Sequence, residues 1–170
     1  MLKNLARIAA SAWYWLALIG LGVAMLAIAL FYQYQLDYWP CVLCIHTRIW
    51  VMAFVLVGVV GLVGRKFRLP LIIGHVLVAV TMAGLLERSW MLLGVERGFI
   101  QGSCDFNLGL PAWLALDQWF PSLFKVWEAC GYTPELLFGV TMAEGLLVMS
   151  AVFALIGCLL TLSTVLDRRR

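Results

Sequence analysis

The chain has 170 residues, of which 64% are hydrophobic and 12% charged, with a net charge of +3. That balance excludes a soluble domain of this size, and the long apolar runs point to one integral membrane domain over residues 1–170. The basic residues sit in small clusters at the ends of apolar segments, so no nucleic-acid partner is expected.

Residues 1–11 carry Lys3 and Arg7, and the run from about Ala12 to Tyr32 carries no charge. At about 1.5 Å per residue it crosses a bilayer core as a first helix. Ala27-Ile28-Ala29 resembles a cleavage site, but the apolar region is too long for a signal peptide. A polar, aromatic loop follows over residues 33–44, and Tyr34, Tyr38 and Trp39 suit a headgroup layer. The second helix is expected over about 45–63. Arg65, Lys66 and Arg68 then make a basic turn closed by Pro70, and the third helix is expected over about 69–86. His75 lies inside that helix, where a polar contact to a neighbouring helix is the simplest role and a ligand or proton relay the alternative. A long second loop covers about 87–140, and the fourth helix about 141–162. The expected fold is therefore an all-α membrane protein, a bundle of four transmembrane helices with two loops on one side.

Lysine and arginine set the orientation. One side carries Lys3, Arg7, Arg65, Lys66, Arg68 and Arg168 to Arg170; the other carries Arg48, Arg88, Arg97 and Lys125. The richer side is expected to be cytoplasmic, with both termini. Cys41, Cys44, Cys104 and Cys130 then face outward, where disulfides persist. Cys158 falls within the fourth helix as a small apolar residue.

The stretch Trp39-Pro40-Cys41-Val42-Leu43-Cys44-Ile45-His46-Thr47-Arg48 carries the chemistry. Two cysteines two residues apart can close the small disulfide ring of thiol–disulfide catalysts. Pro40 ends the loop. A helix starting near Cys44 favours a thiolate there, because free N–H groups at a helix N-terminus carry partial positive charge. Arg48, at i+4, shares a face with Cys44 and adds a permanent charge. Two plainer readings stay open: a structural disulfide with Arg48 snorkelling to the interface, or a zinc site using Cys41, Cys44 and His46.

Cys104 and Cys130 lie in polar settings in the second loop, where a bridge between them either staples the loop or works as a second redox pair. Between them, Trp113, Leu114, Leu116, Trp119, Phe120, Leu123, Phe124 and Trp127 recur at short spacings, broken by Pro121. One or two short helical pieces lying in the membrane interface are expected. Two outward pairs suggest a relay by thiolate attack through mixed disulfides. The chain carries no haem, flavin or iron–sulfur motif; a lipid-soluble acceptor such as a quinone would need only an apolar pocket at the membrane edge with one polar anchor, and Arg48 beside Cys44 is such an anchor.

The chain resembles the disulfide bond formation protein B (DsbB) family of bacterial inner-membrane thiol:quinone oxidoreductases. The resemblance rests on Pro40-Cys41-Val42-Leu43-Cys44-Ile45 with Arg48; on Cys104-Asp105-Phe106; on Pro111-Ala112-Trp113-Leu114, Leu116-Asp117, Trp119, Pro121 and Phe124; and on Cys130. It implies that Cys41, Cys44, Cys104 and Cys130 are catalytic. A soluble thioredoxin-fold oxidase, DsbA, would attack a Cys104–Cys130 disulfide at Cys104. Cys41–Cys44 would reoxidise that pair, and Cys44 would pass electrons to ubiquinone or menaquinone, with Arg48 supporting quinone and thiolate. No metal is implied. His46 and Thr47 stand where the best-known members carry tyrosine and glutamate. No histidine stands near the outer end of the third helix, where Arg88 or Glu87 is the candidate substitute.

Overall fold

The computed structural model describes residues 7–101, 106–137 and 139–166. Four helices are long and apolar enough to cross a membrane: α1 (Ala12–Gln35), α2 (Val42–Gly64), α3 (Arg68–Glu96) and, last in the chain, α6 (Met142–Leu166). Between α3 and α6 come a 3₁₀ turn (Ala112–Leu114), the short helices α4 (Leu116–Trp119) and α5 (Pro121–Phe124), and an antiparallel hairpin of β1 (Glu135–Leu137) and β2 (Val140–Thr141). The chain is an all-α, multi-pass membrane protein. Large apolar side chains such as Leu56, Val60, Val63, Leu155 and Leu162 lie exposed along the helices, as a lipid-facing surface requires.

All four long helices run further than hydropathy alone predicts, and local contacts fix several of their ends. The start of α2 comes at Val42, because Cys41 acts as its N-cap: its backbone is extended and its Sγ accepts a hydrogen bond from the Cys44 N–H at 3.3 Å. Helix α3 continues past Leu86 to Glu96. Its charged residues Glu87 and Arg88 pair with each other at 2.9 Å, and Ser89 donates its hydroxyl to Leu85 O at 2.8 Å, so the polar stretch is satisfied within the helix. Gly98, at φ 76°, ends it in a Schellman turn: Gly98 N–H donates to Val95 O and Phe99 N–H to Gly94 O. Helix α6 opens with a capping box, in which Glu144 N–H donates to Thr141 Oγ1 and Thr141 N–H to Glu144 Oε2.

The loop pieces follow the turn chemistry. Pro121 occupies the first position of α5, where its missing N–H costs nothing, so it begins a helix as well as ending the preceding one. The hairpin has no counterpart in the sequence-based expectations. Its strands are three and two residues long, too short to show alternation.

The packing order is α1 on α2, α2 on α3, and α3 on α6; α1 and α6 form no comparable interface. Two cores result. One, around Trp15, Phe54, Val78 and Met82, fills the part of the bundle away from Cys41. The other, around Cys41, Ile45, Leu92, Leu108, Phe124 and Ala143, joins the helix ends to the second loop. In the first core the Trp15 ring lies where a Cβ on Gly61 would stand 2.1 Å from it, so the glycine is what admits the indole. His75 is fully buried and stacks on Trp15 at 4.9 Å, and among the described residues neither ring nitrogen has a well-formed hydrogen-bond partner, the Ala9 backbone lying nearest. The expected polar contact of His75 is thus a contact of ring faces.

Candidate active site

An irregular stretch from Tyr38 to Pro40 leads to Cys41, whose extended backbone delivers it to the N-terminus of α2. The Sγ atoms of Cys41 and Cys44 are 2.8 Å apart, Cys41 buried and Cys44 half-buried. Cys130 comes against Cys41 from the second loop, close enough for its thiol to interact with the Cys41 thiol and with backbone groups of Val42 and Leu43. Three of the four cysteines expected on the same side therefore meet. Cys104 lies outside the described residues. Cys158 is exposed on α6.

The electrostatics at the meeting point hold protons on. The Cys41 hydrogen bond, followed by burial, pushes the Cys130 thiol well above the usual range. For Cys41, the Cys130 thiol acts in the opposite direction, but the Cys44 thiol and burial outweigh it and push Cys41 up to about 12.

Several hydrogen bonds dock the second loop onto the helix ends. Trp127 N–H donates to Pro40 O at 3.1 Å, next to Cys41, and the Trp39 and Trp127 rings lie 5.1 Å apart, with Lys125 Nζ 4.3 Å above Trp127. His46 Nε2 donates to Leu108 O at 2.9 Å. Thr47 Oγ1 donates back to Cys44 O at 2.8 Å, so its hydroxyl is spent on its own helix.

Arg48 does not snorkel. It is 7% exposed, and Nη1 donates to Gln33 Oε1 at 2.6 Å and to Leu123 O at 3.1 Å, while Nη2 reaches Ala29 O at 3.4 Å. Gln33, 2% exposed, donates in turn to Ser122 O at 3.2 Å, an oxygen that also accepts from Tyr34. Ser122 and Leu123 lie in α5, whose last carbonyls have no partner within so short a helix. Side chains of α1 and α2 cap them. The sequence reading put Gln33 in a loop and missed it. The signal that could have found it is its place one turn after Ala29, in phase with the apolar run.

Below the cysteines lies a cavity of about 290 Å³. Met25, Leu26 and Ala29 of α1, Val51 of α2, Leu92 of α3, and Leu146 and Met149 of α6 wall it, Cys44, Thr47 and Arg48 line one side, and Tyr132, Thr133, Pro134 and Leu136 line it from the second loop. An apolar chamber with a few convergent polar groups suits a flat lipophilic ring. The α3 residue facing it is Leu92; Glu87 and Arg88 are not among its walls. Among the described residues no three His, Cys, Asp or Glu side chains form a metal-ligand group.

A close cysteine pair at a helix start, a third cysteine against it, and four helices long and apolar enough to cross a membrane define a membrane disulfide oxidoreductase. Residues 11–160 match the protein family described as Disulfide bond formation protein DsbB. Curated relatives agree. Disulfide bond formation protein B of Shewanella loihica is 34% identical over 148 residues, covering 86% of each chain. That of Shewanella sp. strain MR-4 is 35% identical over 84% of this chain and 82% of its own. Disulfide bond formation protein B 2 of Pseudomonas aeruginosa is 33% identical over 76% of this chain and 78% of its own. The chain belongs to the DsbB family.

Proposed function

We propose that the protein reoxidises a soluble DsbA-type dithiol oxidase and passes the electrons to a membrane quinone, ubiquinone or menaquinone. The observation that carries this reading is the meeting of Cys41, Cys44 and Cys130 beside an apolar cavity that Cys44 and Arg48 line. In this scheme a thiolate of the partner attacks Cys104 of a Cys104–Cys130 disulfide and releases Cys130. Cys130 attacks Cys41 of the Cys41–Cys44 disulfide, forming Cys41–Cys130 and expelling Cys44 as a thiolate. The partner's second thiol resolves the mixed disulfide, and the freed Cys104 then recaptures Cys130, leaving Cys41 and Cys44 as a dithiol.

A quinone supplies an acceptor for two electrons and two protons, and the residues that would hold it are Cys44, Arg48 and the apolar walls from α1 and α6. Around it, Arg48 offers a fixed positive charge beside the Cys44 thiolate, and the loop residues Tyr132 to Leu136 restrict water. The same reading sets the protein in a bacterial inner membrane with both termini cytoplasmic and the redox cysteines periplasmic.

The test is direct. Purified protein is mixed with a reduced DsbA-type partner and a soluble ubiquinone, and quinone absorbance is followed. Fast loss, absent in Cys44→Ser and in Cys104→Ser, is the expected result. An unchanged absorbance with the partner still reduced overturns the proposal.

A further inference from the structure

Arg48 is a buried cation with no buried carboxylate beside it among the described residues. Its three acceptors, Gln33 Oε1, Leu123 O and Ala29 O, are all neutral. The ion pairs among the described residues are Arg88–Glu87 and Arg97–Glu144, and neither includes it. A guanidinium has five N–H groups, and these contacts use three of them. The Nε–H and one Nη2–H have no protein acceptor among the described residues. Nε and Nη2 share the edge of the guanidinium that makes side-on contacts to carboxylates. An enclosed charge with donors to spare favours an anion over any neutral ligand.

Its surroundings limit what that anion can be. Arg48 lines the cavity, whose other walls include Met25 and Leu26 of α1 and Leu146 and Met149 of α6. These two helices form no close interface, so the cavity sits in a seam between them. A chamber of about 290 Å³ admits one head group and part of a single chain, not a two-chain lipid. Glu128, the one carboxylate among its lining residues, is exposed to water, so its charge is screened.

Redox state changes the fit. Cys44 lies one turn before Arg48 and lines the same cavity. A Cys44 thiolate supplies a countercharge of its own; the Cys41–Cys44 disulfide supplies none. We infer that the disulfide form binds single-chain anionic amphiphiles of the long-chain carboxylate class, the carboxylate on Arg48 and the chain in the α1–α6 seam, and that they exclude the electron acceptor from the cavity. Only the exclusion rests on the quinone reading; the binding does not.

The experiment uses the full chain in nanodiscs, with 11-bromoundecanoate as probe and 11-bromoundecanol as its neutral control. Bromine quenches nearby tryptophan, and Trp39 lines the cavity. The expected result is saturable quenching by the acid alone, on the oxidised protein. It falls at least about tenfold in affinity in Arg48→Gln, a loss of one charge-assisted contact, and Arg48→Lys retains part of it. Reduction weakens binding in the parent protein but not in Cys44→Ser, which cannot form the thiolate. In turnover assays, acid at ten times its dissociation constant raises the apparent quinone KM about tenfold with kcat unchanged. Equal, unsaturable quenching by acid and alcohol overturns the inference, as does binding indifferent to Arg48. Saturable acid binding without any quinone turnover leaves this inference standing and removes the proposed function; turnover without such binding does the reverse.

Discussion

The two ends of the bundle each bury a basic side chain and treat it in opposite ways. At the cysteine end, Arg48 gives its protons to a side chain and two backbone carbonyls drawn from α1 and α5. At the other end, His75 is fully enclosed, with no hydrogen-bond partner for either nitrogen among the described residues, stacked on Trp15 with Tyr14 tilted against it. The difference follows from the chemistry of the groups. A guanidinium cannot shed its charge and must be hydrogen-bonded wherever it is buried. An imidazole can be buried neutral, where it behaves as a small aromatic ring. The cysteine end is built from polar contacts around a cavity. The far end is built from close ring packing, with glycines at Gly61 and Gly74 admitting the Trp15 indole.

The largest effect is expected from removing the charge at the polar end. Arg48→Met keeps the volume but leaves Gln33 Oε1 and Leu123 O without their donor. Quinone kcat/KM should fall about 10²-fold, the scale of losing a preorganised electrostatic contact. A fall of less than about twofold, measured on protein that still docks its second loop, breaks the assignment of Arg48 to the reaction.

Next in size is a pH effect confined to the cysteine end. Cys130 and Cys41 are both held above the ordinary thiol range, so both are protonated at neutral pH. Exchange needs the thiolate. The thiolate fraction therefore grows about tenfold per pH unit below the raised value. In the fully reduced protein, the rate at which the Cys130 thiolate attacks a small disulfide, read at that residue by mass spectrometry, should climb steadily from pH 7 to 9 with no plateau. A plateau near pH 8 contradicts the buried, thiol-paired environment.

The far end answers to volume instead. In Gly61→Ala the new methyl meets the Trp15 ring, and Trp15 is also held by its Nε1–H donating to Ala9 O at 3.1 Å, so it cannot swing aside freely. Overpacking of this kind costs about 1–3 kcal/mol. Thermal unfolding in detergent should drop by several degrees, while the quinone KM of the surviving protein stays put. A shifted KM with unchanged unfolding inverts the comparison.

The contrast also governs what was legible in the sequence. The long apolar runs announce four crossing helices, because an uninterrupted run has no other stable form in lipid. The start of α2 was placed too late, since nothing in a hydropathy pattern says that a cysteine sulfur can cap a helix. The end of α3 was placed too early, because Glu87 and Arg88 look like an exit from the membrane until their mutual pairing is seen. Cys41, Cys44 and Arg48 stand out by spacing alone. Gln33 does not: its role depends on α5 coming over the top of α1, a contact between residues 89 apart in the chain. Cys130 against Cys41 is equally non-local, and spacing alone leaves a Cys104–Cys130 bridge open between a staple and a relay.

The smallest expected effect is the most diagnostic of how the far end works. If His75 is there as a ring, His75→Phe should be tolerated, because it keeps the stack on Trp15 and removes two buried nitrogens with no well-formed hydrogen bond among the described residues. Replacing an unsatisfied polar group with an apolar one of similar shape is neutral or stabilising, here by up to about 1 kcal/mol. Unfolding temperature should hold or rise slightly, and turnover should be unchanged. A clear loss of stability would mean that the nitrogens do have a partner, either the nearby Ala9 backbone or a buried water shared with the Tyr14 hydroxyl. The double replacement Tyr14→Phe with His75→Phe separates the two cases: a shared water makes the pair cost less together than the sum of its parts, and plain ring packing leaves them additive.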